Sequence, residues 1–133
     1  MHQYGGDTTL TRLFLVCNDT GGNVLTVFKS DLDSLQFNST QHAGALQGAS
    51  LMETSLGQAP QDTILVDMQI VTSSLVELTP WFVEIAVIKP DNMGAARLSG
   101  AAMRRRLFFA TAPGNDRLYV AQKKAGLIRD LPT

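Results

Sequence analysis

The sequence predicts an α+β fold, an α/β arrangement in which helices pack on a central antiparallel sheet. Three observations support this prediction. Residues 62–70 place Ile64, Val66, Met68 and Ile70 on one side at a spacing of two, and Asp67 and Gln69 on the other, which is the period of a half-buried strand. Residues 81–88 form an apolar run that only Glu84 interrupts, which is typical of a strand covered on both faces. Residues 39–57 and 93–110 repeat apolar side chains at helical spacing, so two helices would shield the sheet.

The bulk composition favours one domain that spans residues 1–133. The chain is 44% hydrophobic and 17% charged, which suits a globular protein with one core. Its longest apolar run is far shorter than the ~20 residues of a membrane helix, and the first residues lack the pattern of a signal peptide. Cys17 is the only cysteine, so no intrachain disulfide is expected. We therefore expect a cytoplasmic protein without a membrane span.

The net charge of −1 hides a division along the chain. Residues 1–88 carry nine acidic and two basic side chains, whereas residues 89–133 carry three acidic and nine basic ones, so the two parts have charges of −7 and +6. This division indicates either an anionic partner for the basic third or self-association in which the basic part of one subunit meets the acidic part of another.

The first elements in the chain are predicted to be two paired strands, residues 11–17 and 23–29. Between them lie Asn, Asp and Gly residues, which tolerate positive φ and are typical of a hairpin loop. Asp31 and Asp33 follow the second strand, where turn and cap roles are the common use of aspartate. Ser73 and Ser74 mark a turn after the strand at 62–70, and Pro80 favours a bend before Trp81.

Residues 39–57 allow two interpretations. Ala45, Ala49, Met52 and Leu56 form a helical stripe, with Gly57 placed as a C-terminal cap, and this favours a helix. Gly44 and Gly48 oppose it, since each costs about 1 kcal/mol relative to alanine inside a helix. The alternative is an extended segment within an all-β sandwich.

The basic third begins with the predicted helix at residues 93–110. Ala96, Gly100, Met103 and Leu107 lie along one face of this helix. Residues 113–116 end it, and residues 117–122 are predicted as a short strand. Residues 108–133 form a C-terminal extension whose last residues show no readable period.

Three segments of the chain follow the order of a known domain. They are LFLVCNDTGGNVLTVF, HAGALQGASLMETSLG, and the Asn-x-Gly-x-x-Arg pattern of Asn92, Gly94 and Arg97. Residues 11–107 thereby resemble the Roadblock/LC7 family, although that family usually opens with a helix and ends before residues 108–133. The resemblance implies a profilin-like α/β fold, edge-to-edge homodimers or heterodimers, and a platform for small GTPases or scaffold proteins.

The sequence contains no recognisable catalytic motif. His2 and His42 stand apart from other metal-ligating residues, and Cys17 in an apolar run is interpreted as a small buried thiol. Gly21 and Gly22 lack the lysine and the spacing of phosphate-binding loops. We therefore expect no catalytic residue, no metal and no cofactor.

Basic side chains are the remaining candidates for a site. Arg104, Arg105 and Arg106 are consecutive, and because each helical residue turns the direction by about 100°, they cannot share one face. A solvated helix is one interpretation and contact with an anion is the other, with Phe108, Phe109 and Tyr119 as stacking or core groups. The candidate residues for an anion or a partner are Arg97, Arg104, Arg105, Lys123, Lys124 and Arg129.

Together these patterns predict a non-enzymatic interaction module that associates with itself as a homodimer or a larger oligomer. Its further partner would be a small GTPase or a scaffold protein. The alternative is a capsid, decoration or tail subunit of a virus or bacteriophage, located in the virion. In that alternative residues 39–57 are extended, and the basic third faces nucleic acid or another anionic partner.

Overall fold

A computed structural model describes residues 2–54 and 57–132, and this part of the chain has an α+β fold. Strands account for most of its regular structure, and the helices are short. Two single 3₁₀ turns lie at His2–Tyr4 and Ala43–Ala45. The other elements are β1 (Val16–Cys17), β2 (Leu25–Phe28), α1 (Lys29–Ser34), β3 (Leu46–Thr54), β4 (Gly57–Met68), β5 (Phe82–Lys89), β6 (Arg97–Leu98), α2 (Ala101–Arg104), β7 (Phe108–Thr111), β8 (Leu118–Ala121) and α3 (Lys124–Asp130).

The main sheet has four strands in the order β2-β5-β4-β3. The predicted strands at residues 62–70 and 81–88 are confirmed as β4 and β5, which are the two inner strands and pair antiparallel. The sheet is mixed rather than antiparallel throughout, because β2 runs parallel to β5. Two small sheets accompany it, a parallel pair of β1 with β6 and an antiparallel pair of β7 with β8.

The core lies on one face of the main sheet. Ile64 and Val66 of β4 project to this face, and Ala86 of β5 lies opposite Ile64. Leu32 of α1 and Ala45 of the second 3₁₀ turn cover them. The buried cluster therefore draws on strands, a helix and a turn; its members are Leu25, Val27, Leu32, Ala45, Ile64, Val66 and Ala86.

The prediction that residues 81–88 are covered on both faces is wrong. Phe82, Glu84 and Ala86 are buried on the core face, whereas Val83 and Ile85 are 42% and 45% exposed on the other face. A run of β-branched and aromatic residues fits a strand whether one face or both are covered, so the sequence pattern did not distinguish the two cases. The second face is covered only in part, since Val87, which pairs with Thr26 and Thr63, is 1% exposed.

The predicted hairpin of residues 11–17 and 23–29 does not form. The strand β1 pairs with β6, and β2 pairs with β5, so the two segments join different sheets. The loop between them is held by the basic third instead. The Asp19 amide donates to Ser99 Oγ at 2.9 Å, and the Arg104 guanidinium donates to the carbonyls of Asp19 and Gly22.

The helix predicted over residues 39–57 is also wrong, because residues 46–54 form strand β3; residues 55 and 56 lie outside the described part of the chain. Gly48 has φ +81°, and the β3–β4 register shifts between Leu46 and Gly48. This is a β-bulge, in which glycine supplies the positive φ. Gly48, which would weaken a helix, therefore serves the bulge of β3, and Gly44 lies in the 3₁₀ turn before it.

The helix predicted over residues 93–110 shrinks to the four residues of α2. Gly94 has φ +96°, and Gly100 is extended, so the chain cannot remain helical across them. A Cβ at Gly100 would lie 2.7 Å from the backbone nitrogen of Leu25, which means that glycine permits a close approach of the two segments. The flanking residues form β6 and β7 instead.

The C-terminal residues fold into a small unit of their own elements. The predicted short strand at 117–122 is confirmed as β8, which pairs with β7. Helix α3, which the sequence did not reveal, packs on both strands and buries Leu127. The Gln122 side chain links this unit to the rest of the chain by donating to the Leu78 carbonyl at 2.7 Å.

Candidate interaction surface

The most exposed feature of the main sheet is the outer part of the β3–β4 hairpin, residues 48–54 and 57–62, which we call the β-arm. Strand β4 pairs with β5 only over residues 63–68, so the β-arm extends beyond the other strands of the sheet. Side chains 48–51 are all exposed, and so are Gln58, Pro60 and Asp62. The β-arm is therefore a two-stranded ribbon that the core does not cover.

One edge of the β-arm is an open strand edge. Within residues 2–54 and 57–132, β3 is the terminal strand of the sheet, and its outer side pairs with no other strand. The unpaired amide and carbonyl groups of such an edge are a template for pairing with another chain. A two-stranded ribbon is only marginally stable in water, so this geometry favours a further partner for the β-arm.

The second exposed surface is the outer face of the sheet. Trp81, which precedes β5, is 56% exposed, and Val83 and Ile85 of β5 are exposed on the face away from the core, whereas Val87 further along this face is buried. Leu65 of β4 stands opposite Ile85 in the register and is half-buried. The four side chains that are not buried expose apolar surface to solvent. Adjoining apolar side chains of this kind are typical of protein interaction sites.

Arg97, a predicted anion-binding residue, is bonded within the chain. Its Nε and Nη2 donate to the two carboxylate oxygens of Asp31 at 2.8 and 2.6 Å. Its guanidinium carbon lies 4.9 Å from the ring centre of Phe14 and 5.3 Å from that of Phe28. This side chain therefore joins α1 to β6 and is not presented to an external anion.

Asp31 is the buried member of this pair. Burial alone would raise the pKa of its carboxyl, but the hydrogen bonds from Arg97 and from the Phe28 amide prevail and lower the pKa below its ordinary value. The Phe28 amide donates to Asp31 Oδ2 at 2.9 Å, so one carboxylate also holds the first turn of α1. Turn or cap roles were predicted for Asp31 and Asp33, and Asp31 is the third residue of α1, with its carboxylate bound to the amide of the residue that precedes the helix.

The three consecutive arginines have three different environments. Arg104 donates to carbonyls of the 18–23 loop, and the Arg106 guanidinium lies 4.1 Å from the ring centre of Phe82. Arg105 follows the last helical residue and is exposed. Arg105 is therefore the one of these three arginines for which the structure describes neither a hydrogen bond to a carbonyl nor a contact with an aromatic ring.

The remaining predicted site residues belong to the C-terminal unit. Lys123 and Lys124 are exposed at the start of α3, and Arg129 is exposed and forms an ion pair with Asp130 at 2.8 Å. Phe108 of β7 is 46% exposed, whereas Phe109 and Tyr119 are half-buried. The six predicted residues therefore do not form one cluster, since Arg97 and Arg104 are engaged inside the protein.

Glu84 is a polar core residue whose role the sequence did not reveal. It is 6% exposed and accepts a hydrogen bond from the Ala102 amide at 2.9 Å. Burial raises the pKa of its carboxyl, and the amides at the start of α2 oppose this effect only in part. The one signal in the sequence was its position as the single charge within the apolar run 81–88. Glu84 ties β5 to α2.

Cys17 does not have the buried environment that the sequence indicated, and His42 has a structural role that the sequence did not predict. Cys17 is exposed rather than buried, because β1 is a two-residue strand outside the main sheet. His42 is buried, where Nδ1 accepts a hydrogen bond from the Asn38 amide at 3.0 Å and the ring lies 5.7 Å from that of Phe37. Among residues 2–54 and 57–132, no three His, Cys, Asp or Glu side chains gather as a metal site would require.

Two shallow depressions flank the 90–96 loop, with volumes of about 270 and 440 Å³. Both are lined by Phe28, Asp91 and Asn92. Asp91 accepts a hydrogen bond from the Ser30 amide at 3.0 Å. The hydrogen bonds from the Ser30 amide and side chain lower the pKa of the Asp91 carboxyl. The depressions are open to solvent. Asp91, which lines both, and Arg97, which lines the first, already bind within the chain, and Lys89 lines the second.

The fold and its surfaces define an α+β protein with an uncovered strand edge. Comparison of the chain with protein-family models, with curated proteins and with solved structures finds no match. No helix in the described part of the chain is long and apolar enough to cross a membrane.

Proposed function

We propose that this protein is a non-enzymatic module that assembles with copies of itself. The observation that carries the proposal is the β-arm, a ribbon with an open edge that projects from the main sheet. Proteins usually shorten, charge or cover such edges, because exposed ones pair with other chains. An edge left open over the nine residues of β3 is best explained by a partner that covers it.

Two further features support assembly. The outer sheet face presents Trp81, Val83 and Ile85, which would be covered if a second subunit packed there. The chain also divides into an acidic part of −7 and a basic part of +6, which gives two copies complementary surfaces.

The polar groups of the interior support a structural role rather than a catalytic one. Asp31 holds Arg97 and the start of α1, Glu84 holds the start of α2, and Arg104 holds the 18–23 loop. Each group thus has a partner that explains its position in the fold. A catalytic group would instead be aimed into a cleft where a substrate can reach it.

The subunit of a virus or bacteriophage particle is the second candidate, and one observation favours it over a platform for a small GTPase or scaffold protein. Residues 46–54 are a strand, as the particle-subunit alternative required, whereas the Roadblock/LC7 resemblance required a helix there. That resemblance remains a prediction. In the particle, the basic third would face nucleic acid or another anionic partner in the virion; in the platform, the protein would be cytoplasmic.

Light scattering coupled to size-exclusion chromatography tests the proposal. We expect the molar mass of the purified chain to rise above 14.4 kDa as its concentration is raised through the micromolar range. A mass that stays monomeric up to the highest soluble concentration would contradict self-association. Electron microscopy of the same fractions separates the two forms, since a particle subunit should give shells or tubes and a platform should give a discrete dimer.

A further inference from the structure

We infer that the β-arm of one copy adds a strand to the β7–β8 sheet of a second copy. This inference rests on the proposed self-association and names the two surfaces that carry it. Three features of the protein support it, namely the chemistry of the β-arm, the direction of its open edge and the chemistry of the acceptor sheet.

The β-arm is apolar and acidic. Residues 46–63 contain Glu53 and Asp62 but no lysine or arginine. Leu51 is 70% exposed, so it offers apolar area to a partner at no cost to the core. Edge strands that stay unpaired commonly carry lysine, and β3 has none.

Pro60 indicates which side of the β-arm is available. It lies opposite Leu51 in the ladder and has no amide hydrogen to donate. In an antiparallel ladder, every second residue pair turns its backbone amides and carbonyls away from the partner strand. If the Leu51–Pro60 pair is one of these, the ladder loses no hydrogen bond at the proline. The alternation then directs the amides of Ala49 and Leu51 to the open edge, and Pro60 blocks the opposite edge. The outer side of β3 is therefore the side that can accept another strand.

The β7–β8 sheet has the complementary character. Within the described part of the chain, β7 and β8 pair only with each other, so this sheet also has unpaired edges. Phe108 and Leu118 are exposed on its strands, at 46% and 43%. The exposed basic residues beside these strands are Arg105, Arg117, Lys123 and Lys124.

Charge selects this pairing over contact between two β-arms. Residues 46–63 carry two acidic and no basic residues, so contact between two β-arms brings segments of like charge together. Pairing a β-arm with the β7–β8 sheet instead brings this negative segment to a basic surface. Each copy is then donor and acceptor at different surfaces, which produces rings or open chains rather than a symmetric pair.

Two variants disable the two surfaces separately. Ala49→Pro removes an outward amide from the β-arm, and its control Ala49→Val keeps that amide. Arg117→Glu with Lys123→Glu reverses the charge of the acceptor, and its control is Arg12→Glu with Lys29→Glu, two exposed basic residues elsewhere. We expect each disabled variant to weaken assembly about tenfold or more, and each control to assemble like the original chain.

Mixing the two disabled variants is the decisive step. Under the inference, the mixture forms a complex of two copies, because an intact β-arm meets an intact acceptor once. If the original chain assembles but the mixture stays monomeric, or if either disabled variant assembles normally, the inference is wrong while self-association stands. If the original chain never assembles, the proposed function itself fails. Melting curves check folding, and Leu51→Gln replaces Ala49→Pro should the latter unfold.

Discussion

At the scale of single residues, long-range polar contacts fix the fold. Arg97 and Asp31 are 66 positions apart, and their paired hydrogen bonds join α1 to β6. From the sequence we predicted a turn or cap role for Asp31 and anion or partner binding for Arg97. A basic residue looks the same in a sequence whether its partner is a distant carboxylate of the same chain or an external anion, so that distinction was not predictable.

Asp31→Asn should lower the free energy of unfolding by about 2 kcal/mol at pH 7, because it leaves the Arg97 charge without its partner. The folded-state pKa of Asp31 is lowered, so its contribution is complete above the unfolded-state pKa and is lost as pH falls through the folded-state pKa. Urea unfolding between pH 7 and pH 2 measures this. The difference between the original chain and the variant should shrink towards the acid end.

Asp33→Asn is the matched control, since Asp33 lies on the same helix but is exposed. Its effect should stay below about 0.5 kcal/mol. Equal losses from the two substitutions would show that the Arg97–Asp31 pair does not hold the structure together.

At the scale of elements, periodicity predicted the inner strands correctly and the helices poorly. Residues 62–70 show a clear alternation, which fixed both the strand and its buried face. Residues 39–57 contain a helical stripe interrupted by Gly44 and Gly48, and in the structure residues 46–54 form a strand, with Gly48 at its bulge. The helical stripe of residues 39–57 also did not mark a buried face, since one of its members, Ala49, is exposed in β3.

Two isoleucines on opposite faces of the sheet test the packing of these elements. Ile64 is fully buried, and Ile64→Ala should cost about 3 kcal/mol of folding free energy because it leaves a cavity. Ile85 is 45% exposed, and Ile85→Ala should cost under about 1 kcal/mol in dilute solution. Chemical denaturation compares the two. Equal costs would mean that both faces of the sheet are covered, as the sequence alone indicated.

At the scale of the whole molecule, the sequence predicted the division of charge but not its location in space. The acidic part supplies most of the main sheet, including the β-arm, and the basic part supplies β6 to β8 with α2 and α3. Some of this complementarity is satisfied within one copy by Arg97 and Asp31. The exposed basic residues of the basic part lie mostly in the C-terminal unit, whereas the exposed acidic residues of the acidic part, Asp7, Asp33, Asp62 and Glu77, are spread over the rest of the described chain, and Asp62 belongs to the β-arm. Pairing order could not be predicted, because parallel β2–β5 contacts depend on distant segments.

Residue-resolved hydrogen exchange of β3, below and above the concentration at which the chain assembles, tests the central claim most directly. The amides of Ala49 and Leu51 should exchange freely in the dilute protein and become protected on assembly, whereas those of Ser50 and Met52, within the β3–β4 ladder, should be protected in both conditions. An assembled protein in which the Ala49 and Leu51 amides still exchange as fast as in the dilute chain would contradict the account.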